Sequence, residues 1–174
     1  MSTVRTALDY ATLSYPPPRG NVLLLSCMDL RLLDETLYFM NRDNLTNRYD
    51  HVILAGAGLG ALGGSRPDYD HWRKTFFDHL GLAVDLHHVK DVYVMEHRSC
   101  GAYGKFLGPE GIFGDTPEES ERELEVHRRY TSLLSVEIAN WSRENNCPLR
   151  VRSFLMDLRG GVMLLDDMSA GGPV

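Results

Sequence analysis

Apolar and polar positions along the chain follow two rhythms. Val22 to Ser26, VLLLS, is continuously apolar rather than alternating, the pattern of a strand covered by helices on both faces. Residues 51–55, HVILA, and 91–95, DVYVM, repeat that pattern and predict a second and a third strand. Between the first two strands Leu30, Leu33, Leu37 and Met40 recur at helical spacing, with Asp34, Glu35 and Asn41 on the polar side. Trp72, Phe76, Leu80 and Ala83 mark a second helix, which Gly81 weakens by ~1 kcal/mol relative to alanine. An order of strand, helix, strand, helix, strand favours a parallel sheet with right-handed crossovers.

The rest of the chain completes that outline. Residues 56–64, GAGLGALGG, read as a glycine-dense loop, and Pro67 continues it. Thr116 is a helix cap with Pro117 in the first position and Glu119 placed to close a capping box. The helix it starts runs to about Glu144, with Leu124, Tyr130, Leu134, Ile138 and Trp141 inward, and the acidic run Glu118 to Glu125 reads as a helix N-terminus and solvated face. Residues 149–156 and 162–165 read as a strand pair turning at Gly160 and Gly161. The expected fold class is α/β, with a mainly parallel central sheet flanked by helices and a C-terminal strand pair. It divides into an arm over 1–20, one domain over 21–165 and a flexible tail over 166–174.

Composition narrows the function. The chain has 174 residues, 43% of them hydrophobic, enough for one core without disulfide support. Acids outnumber Lys and Arg by 24 to 18 and the net charge is -6, which argues against a phosphate-neutralising nucleic-acid surface. The first twenty residues lack the apolar core of a secretory signal, and no run approaches the ~18 apolar residues of a spanning helix, so a cytoplasmic protein with no membrane partner is expected. Three cysteines at irregular spacing suit metal or catalytic use better than a disulfide framework.

The first strand stops at Cys27, with Asp29 two residues on and Arg31 four on; the third is followed by His97 and Cys100. Two thiolates and one imidazole, Cys27, His97 and Cys100, are a three-ligand zinc set that leaves a fourth position for water or substrate. The two thiolates cancel the charge of the dication, so a bound water is acidified less than on an all-histidine site and a neighbouring acceptor gains importance. Asp29 either fills the fourth position as a further ligand or turns away to pair with Arg31, leaving room for water that it orients or deprotonates.

Cys27-x-Asp29-x-Arg31 followed by His97-x-x-Cys100-Gly101 resembles the β-class carbonic anhydrases, and the likeness in element order extends over most of residues 21–165. The resemblance implies one zinc ion per chain on Cys27, His97 and Cys100, with Asp29 as gate and proton acceptor and Arg31 as its clamp. It implies a lyase, a carbonate dehydratase that hydrates carbon dioxide reversibly to bicarbonate by a hydroxide on the metal. It also implies a homodimer, or a higher homo-oligomer, with embracing arms. Relatives of the fold hydrolyse carbon disulfide or carbonyl sulfide on the same metal set, so that substrate class stands beside carbon dioxide, as does a non-catalytic zinc protein. Where the family has Asn-Ala-Gly-Asn after the second strand this chain has Gly56-Ala57-Gly58-Leu59, and the gap between the half-motifs is longer, around Gly60 to Arg73.

A rival of another class is a dinucleotide-binding module, since Gly56-x-Gly58-x-x-Ala61 follows a strand and Asp78 lies twenty residues after Gly58. Gly63, Gly64 and Pro67 delay the helix that such glycines should open, and close backbone packing beside the metal cleft explains them more simply. A phosphate loop fails because Gly63 is followed by Gly64 where lysine is required. Cys147 has no partner motif, and His87 and His88, adjacent on a helix, do not converge on one ion.

Overall fold

The computed structural model describes residues 20–169. Residues 1–19 of the expected arm and 170–174 of the expected tail lie outside the described residues. Five strands form one sheet in the order β2-β1-β3-β4-β5. They are β1 (Val22–Ser26), β2 (Tyr49–Ile53), β3 (Asp91–His97), β4 (Arg150–Met156) and β5 (Val162–Ser169). The first four run parallel and β5 returns antiparallel at the edge. The helices are α1 (Leu33–Arg42), α2 (Ala57–Ala61), α3 (Asp70–His87), α4 (Gly101–Leu107) and α5 (Pro117–Glu144).

The continuous apolar strands are explained by the two layers that cover them. Leu23 and Leu25 of β1 face Phe76 and Leu80 of α3 and Leu134 and Ile138 of α5. Val22 and Leu24 point to the opposite face, where Phe39 and Met40 of α1 and Phe154 of β4 pack. At the sheet centre β3 is buried at every position, whereas the edge strand β2 buries only Val52. Buried Arg152 of β4 donates from Nη1 to the Tyr93 hydroxyl at 2.9 Å, and that hydroxyl donates to Asp43 at 2.8 Å. No helix among the described residues is long and apolar enough to cross a membrane.

Several boundaries and one helix face differ from the sequence reading. α1 turns inward the stripe Leu32, Thr36, Phe39 and Met40; of the expected stripe Leu30, Leu33, Leu37 and Met40, the three leucines are exposed, Leu30 at 89%. Two apolar stripes one residue apart share this helix, and periodicity cannot choose between them. β2 begins two residues earlier than expected, and β3 continues to His97. The glycine-dense 56–64 stretch is not all loop: Gly56, at φ +78°, leads into α2, and a 3-10 turn at Gly63–Ser65 follows. β5 runs to Ser169, four residues beyond the expected end, because Arg150 and Arg152 of β4 draw Asp167 alongside, with Arg150 Nε 2.7 Å from its carboxylate. α5 has its expected start, with Thr116 Oγ1 accepting from Glu119 N–H at 3.3 Å. The Glu119 carboxylate accepts from Gly114 N–H and Arg122 instead of closing the box on Thr116.

The reassigned face of α1 gives opposite expectations for two residues that sequence spacing treats alike. Met40→Ala should cost about 2–5 kcal/mol of unfolding free energy in a urea titration, while Leu37→Ala should stay within about 0.5 kcal/mol of the parent.

Candidate metal centre

Adjacent parallel strands place the candidate donors side by side. In the β1–β3 register Ser26 lies opposite Met95, so Cys27, one residue past β1, emerges next to the end of β3. His97 closes β3, and a turn through Arg98 and Ser99 brings Cys100 to the cap position of α4. Ser99 makes that turn in the left-handed region, at φ +56°. The donor atoms of Cys27, His97 and Cys100 all lie within 4.8 Å of one another, the two sulfurs 3.8 Å apart.

These three residues fit a metal ion on grounds of hydrogen bonding as well as proximity. A carbonyl can only accept, so His97 Nδ1, 3.0 Å from the Arg98 carbonyl oxygen, carries the ring proton and leaves a lone pair on Nε2. That Nε2 is buried and has no hydrogen-bond partner among the described residues. Hydrogen bonding from Cys100 lowers the Cys27 thiol to about 4, against the opposing effect of burial, with help from His97 and from the Gly56 N–H that donates to Sγ at 3.3 Å. The same sulfur–sulfur hydrogen bond, together with burial, pushes Cys100 upward. Burial lowers His97, but its contact with the Cys27 thiolate outweighs that and raises it. The hydrogen bond between the sulfurs and the burial of Cys100 oppose ionising both together, and a divalent cation is the species that would let both sulfurs ionise.

Asp29 and Arg31 sit at the rim of this cluster. Arg31 donates from Nε to Asp29 Oδ1 at 2.8 Å and from Nη2 to Oδ2 at 2.6 Å, and Nη2 also donates to the Ser99 carbonyl at 3.1 Å. Asp29 Oδ2 lies 3.8 Å from His97 Nε2. The carboxylate is thus turned toward Arg31 while remaining beside the donors. Those hydrogen bonds from Arg31 hold it down at about 2.

Beneath the donors lies a buried polar network that the sequence reading missed. Glu96 accepts from Gly58 N–H at 2.7 Å, from the Tyr103 hydroxyl at 3.2 Å and from His127 Nδ1 at 3.0 Å. Glu123 accepts from Ser99 N–H at 2.5 Å and from Arg98 Nη1 at 3.0 Å. Glu123 belongs to the acidic run read as a solvated face, yet it is buried, because the first turns of α5 pack on the 97–100 turn rather than facing water. One signal pointed here: Glu123, His127, Tyr130 and Leu134 share a helical stripe, so the inward face of α5 is polar at its N-terminal end.

The Gly56–Leu59 stretch is the floor of the site. A Cβ on Gly58 would stand 2.7 Å from Glu96 Oε1, and one on Gly60 only 2.4 Å from the Ala55 carbonyl oxygen. Leu59, fully buried, packs against Cys100 and Tyr103. Asp78, the acid that completes the dinucleotide pattern, is ion-paired with Lys74 on the exposed face of α3, with Nζ at 2.6 Å. Above the donors opens a cavity of about 760 Å³ whose walls include Met28, Leu30, Ala55, Tyr69, Trp72 and Phe106. Tyr69 and Trp72 come from the longer stretch between the half-motifs, and their ring centroids are 4.8 Å apart. Cys147 is packed at the edge of the core, and His87 pairs with Asp50 at 2.7 Å.

No family model matches the chain. It is 36% identical over 141 residues to an uncharacterized protein of Rickettsia bellii, covering 81% of this chain and 79% of that protein. To an uncharacterized protein of Rickettsia conorii it is 33% identical over 143 residues, covering 82% and 70%. Among solved structures, a tetrameric β-carbonic anhydrase of Sordaria macrospora shares 16% identity over 88% of this chain and 84% of that one, with a TM-score of 0.55. A β-carbonic anhydrase of Aspergillus fumigatus shares 14% over 88% and 95%, with a TM-score of 0.54. A Coccomyxa β-carbonic anhydrase in complex with acetazolamide shares 13% over 86% and 74%, with a TM-score of 0.57. At these identities the likeness shows a common fold.

Hydrogen bonding from Cys100 and Gly56 lowers the Cys27 thiol, so metal-free protein treated with iodoacetamide near pH 6 should be alkylated at Cys27 well ahead of Cys147, whose thiol burial raises. Peptide mass spectrometry reads the order, and loading with zinc beforehand should suppress labelling of Cys27.

Proposed function

The chain belongs to one family with the two rickettsial proteins and carries the β-carbonic anhydrase fold, and from that premise we propose that it hydrates carbon dioxide reversibly to bicarbonate on a zinc ion. The observation that carries this reading is the convergence of Cys27, His97 and Cys100 within 4.8 Å, with an unpartnered imidazole nitrogen among them. Two thiolates and an imidazole are a donor set that zinc accepts in tetrahedral geometry with one position left over. Zinc held by these residues would supply Lewis acidity that makes a water more acidic.

The chain's own residues prepare the surroundings. Arg31, fixed by the Ser99 carbonyl, turns the Asp29 carboxylate toward itself beside the donors and keeps it anionic. With its acid strength raised to a value of about 2, Asp29 is a poor store for a proton at neutral pH but a permanent hydrogen-bond acceptor. Its role in this reading is to orient the attacking water, while the released proton passes to solvent. Met28, Ala55 and Ala102 give the cavity an apolar wall suited to an uncharged linear substrate. The same apolar wall and the volume of about 760 Å³ favour carbonyl sulfide or carbon disulfide as the second reading, since both are larger and softer than carbon dioxide.

The exposed leucines just ahead of α1 and at its first position, Leu30 and Leu33, support a homodimer in this reading. A cytoplasmic location belongs to the same proposal.

Stopped-flow measurement of carbon dioxide hydration by zinc-loaded protein across about pH 6.5–9 tests the function; no acceleration at any pH defeats it. Asp29→Asn should retain its metal and lose about 10²-fold in rate through misplaced water. Sulfide release from carbonyl sulfide without carbon dioxide hydration would select the second reading.

A further inference from the structure

Glu123 has no contact with the cavity and does not belong to the donor set, yet it is a buried carboxylate, 4% exposed, spent on a four-residue turn. A carboxylate removed from water is costly unless charge and hydrogen bonds offset the loss. Both of its oxygens are used on that turn: Oε1 accepts from Ser99 N–H at 2.5 Å and Oε2 from Arg98 Nη1 at 3.0 Å. Arg98 is tied back to α5 in turn, donating to the Ser120 carbonyl at 2.9 Å.

The turn needs such a hold. Ser99 stands at φ +56°, a conformation an L-residue adopts only when its surroundings impose it, and it is the residue between His97 and Cys100 whose twist decides how those side chains face each other. Its two peptide groups are gripped from opposite sides, the N–H by Glu123 and the carbonyl by Arg31. We propose that Glu123 is a positioning residue of the metal centre: by accepting from Ser99 N–H it holds the 97–100 turn in the form that brings the imidazole and the second sulfur to one ion. The inference rests on the metal reading given above. Outer hydrogen bonds of this kind commonly govern metal affinity by about 10–100-fold.

The test is cobalt(II) binding to the full chain, with affinity measured by chelator competition and the site followed through its ligand-field and sulfur-to-cobalt absorption. Glu123→Ala should weaken binding by about 10–100-fold and alter the spectrum. Glu123→Gln, whose amide oxygen can still accept from Ser99, should stay within about threefold of the parent with a parent-like spectrum, although both variants lose the ion pair with Arg98 and melt earlier. If the alanine chain does not fold, Glu123→Asp, one methylene short of Ser99, takes its place with the same expected loss. Affinity within about threefold of the parent in the alanine or aspartate variant assigns Glu123 to fold stability alone and overturns the proposal. An equal large loss in the glutamine variant overturns it as well, because the charge and not the Ser99 bond would then matter. Parent protein that takes up no cobalt removes the metal reading and the inference together.

Discussion

The register between β1 and β3 determines where every donor of the site can stand. Ser26 pairs opposite Met95, so the residue after one strand and the residues ending the other leave the sheet at the same C-terminal end and within a few ångströms. Cys27 and Cys100 are separated by 73 positions in sequence, and only this backbone pairing makes their sulfurs neighbours at 3.8 Å. The side chains that fix the register are the alternating layers of β1, Leu23 and Leu25 on one face and Val22 and Leu24 on the other. A slip by one residue would exchange those layers, and hydrophobic burial opposes it strongly.

Around those strand ends the electrostatics are arranged in pairs. Two sulfurs, Asp29, Glu96 and Glu123 would concentrate negative charge in a small volume. Arg31 answers Asp29, Arg98 answers Glu123, and His127 lies 3.0 Å from Glu96. Among the donors, the two sulfurs and the lone pair on His97 Nε2 have no cation facing them among the described residues, which is the deficit a dication fills.

The features legible in the sequence were those whose signal is local. The apolar run of β1, the cap and proline of α5, and the short spacings Cys27-x-Asp29-x-Arg31 and His97-x-x-Cys100 each declare themselves within a few residues, and β1, the start of α5 and the convergence of Cys27, His97 and Cys100 stand as expected. The misread features depend on what lies across space. Leu30, Leu33 and Leu37 have helical spacing, but the stripe carrying Phe39 and Met40 meets the sheet instead. Glu123 and Glu96 look like surface acids until the 97–100 and 56–58 backbones arrive to donate to them. Arg152 likewise is buried because Tyr93 and Asp167 come to it from other strands.

α5 spans 28 residues, about 42 Å of continuous helix. Its early turns carry Glu123 and His127 to the polar network under the donors, while its later turns carry Leu134 and Ile138 into the main core. One rigid rod therefore serves two masters along its length. Sequence drift in its distal half would be filtered by packing alone, and drift in its proximal half by the chemistry of the cleft, so the two ends of a single helix should diverge under different rules.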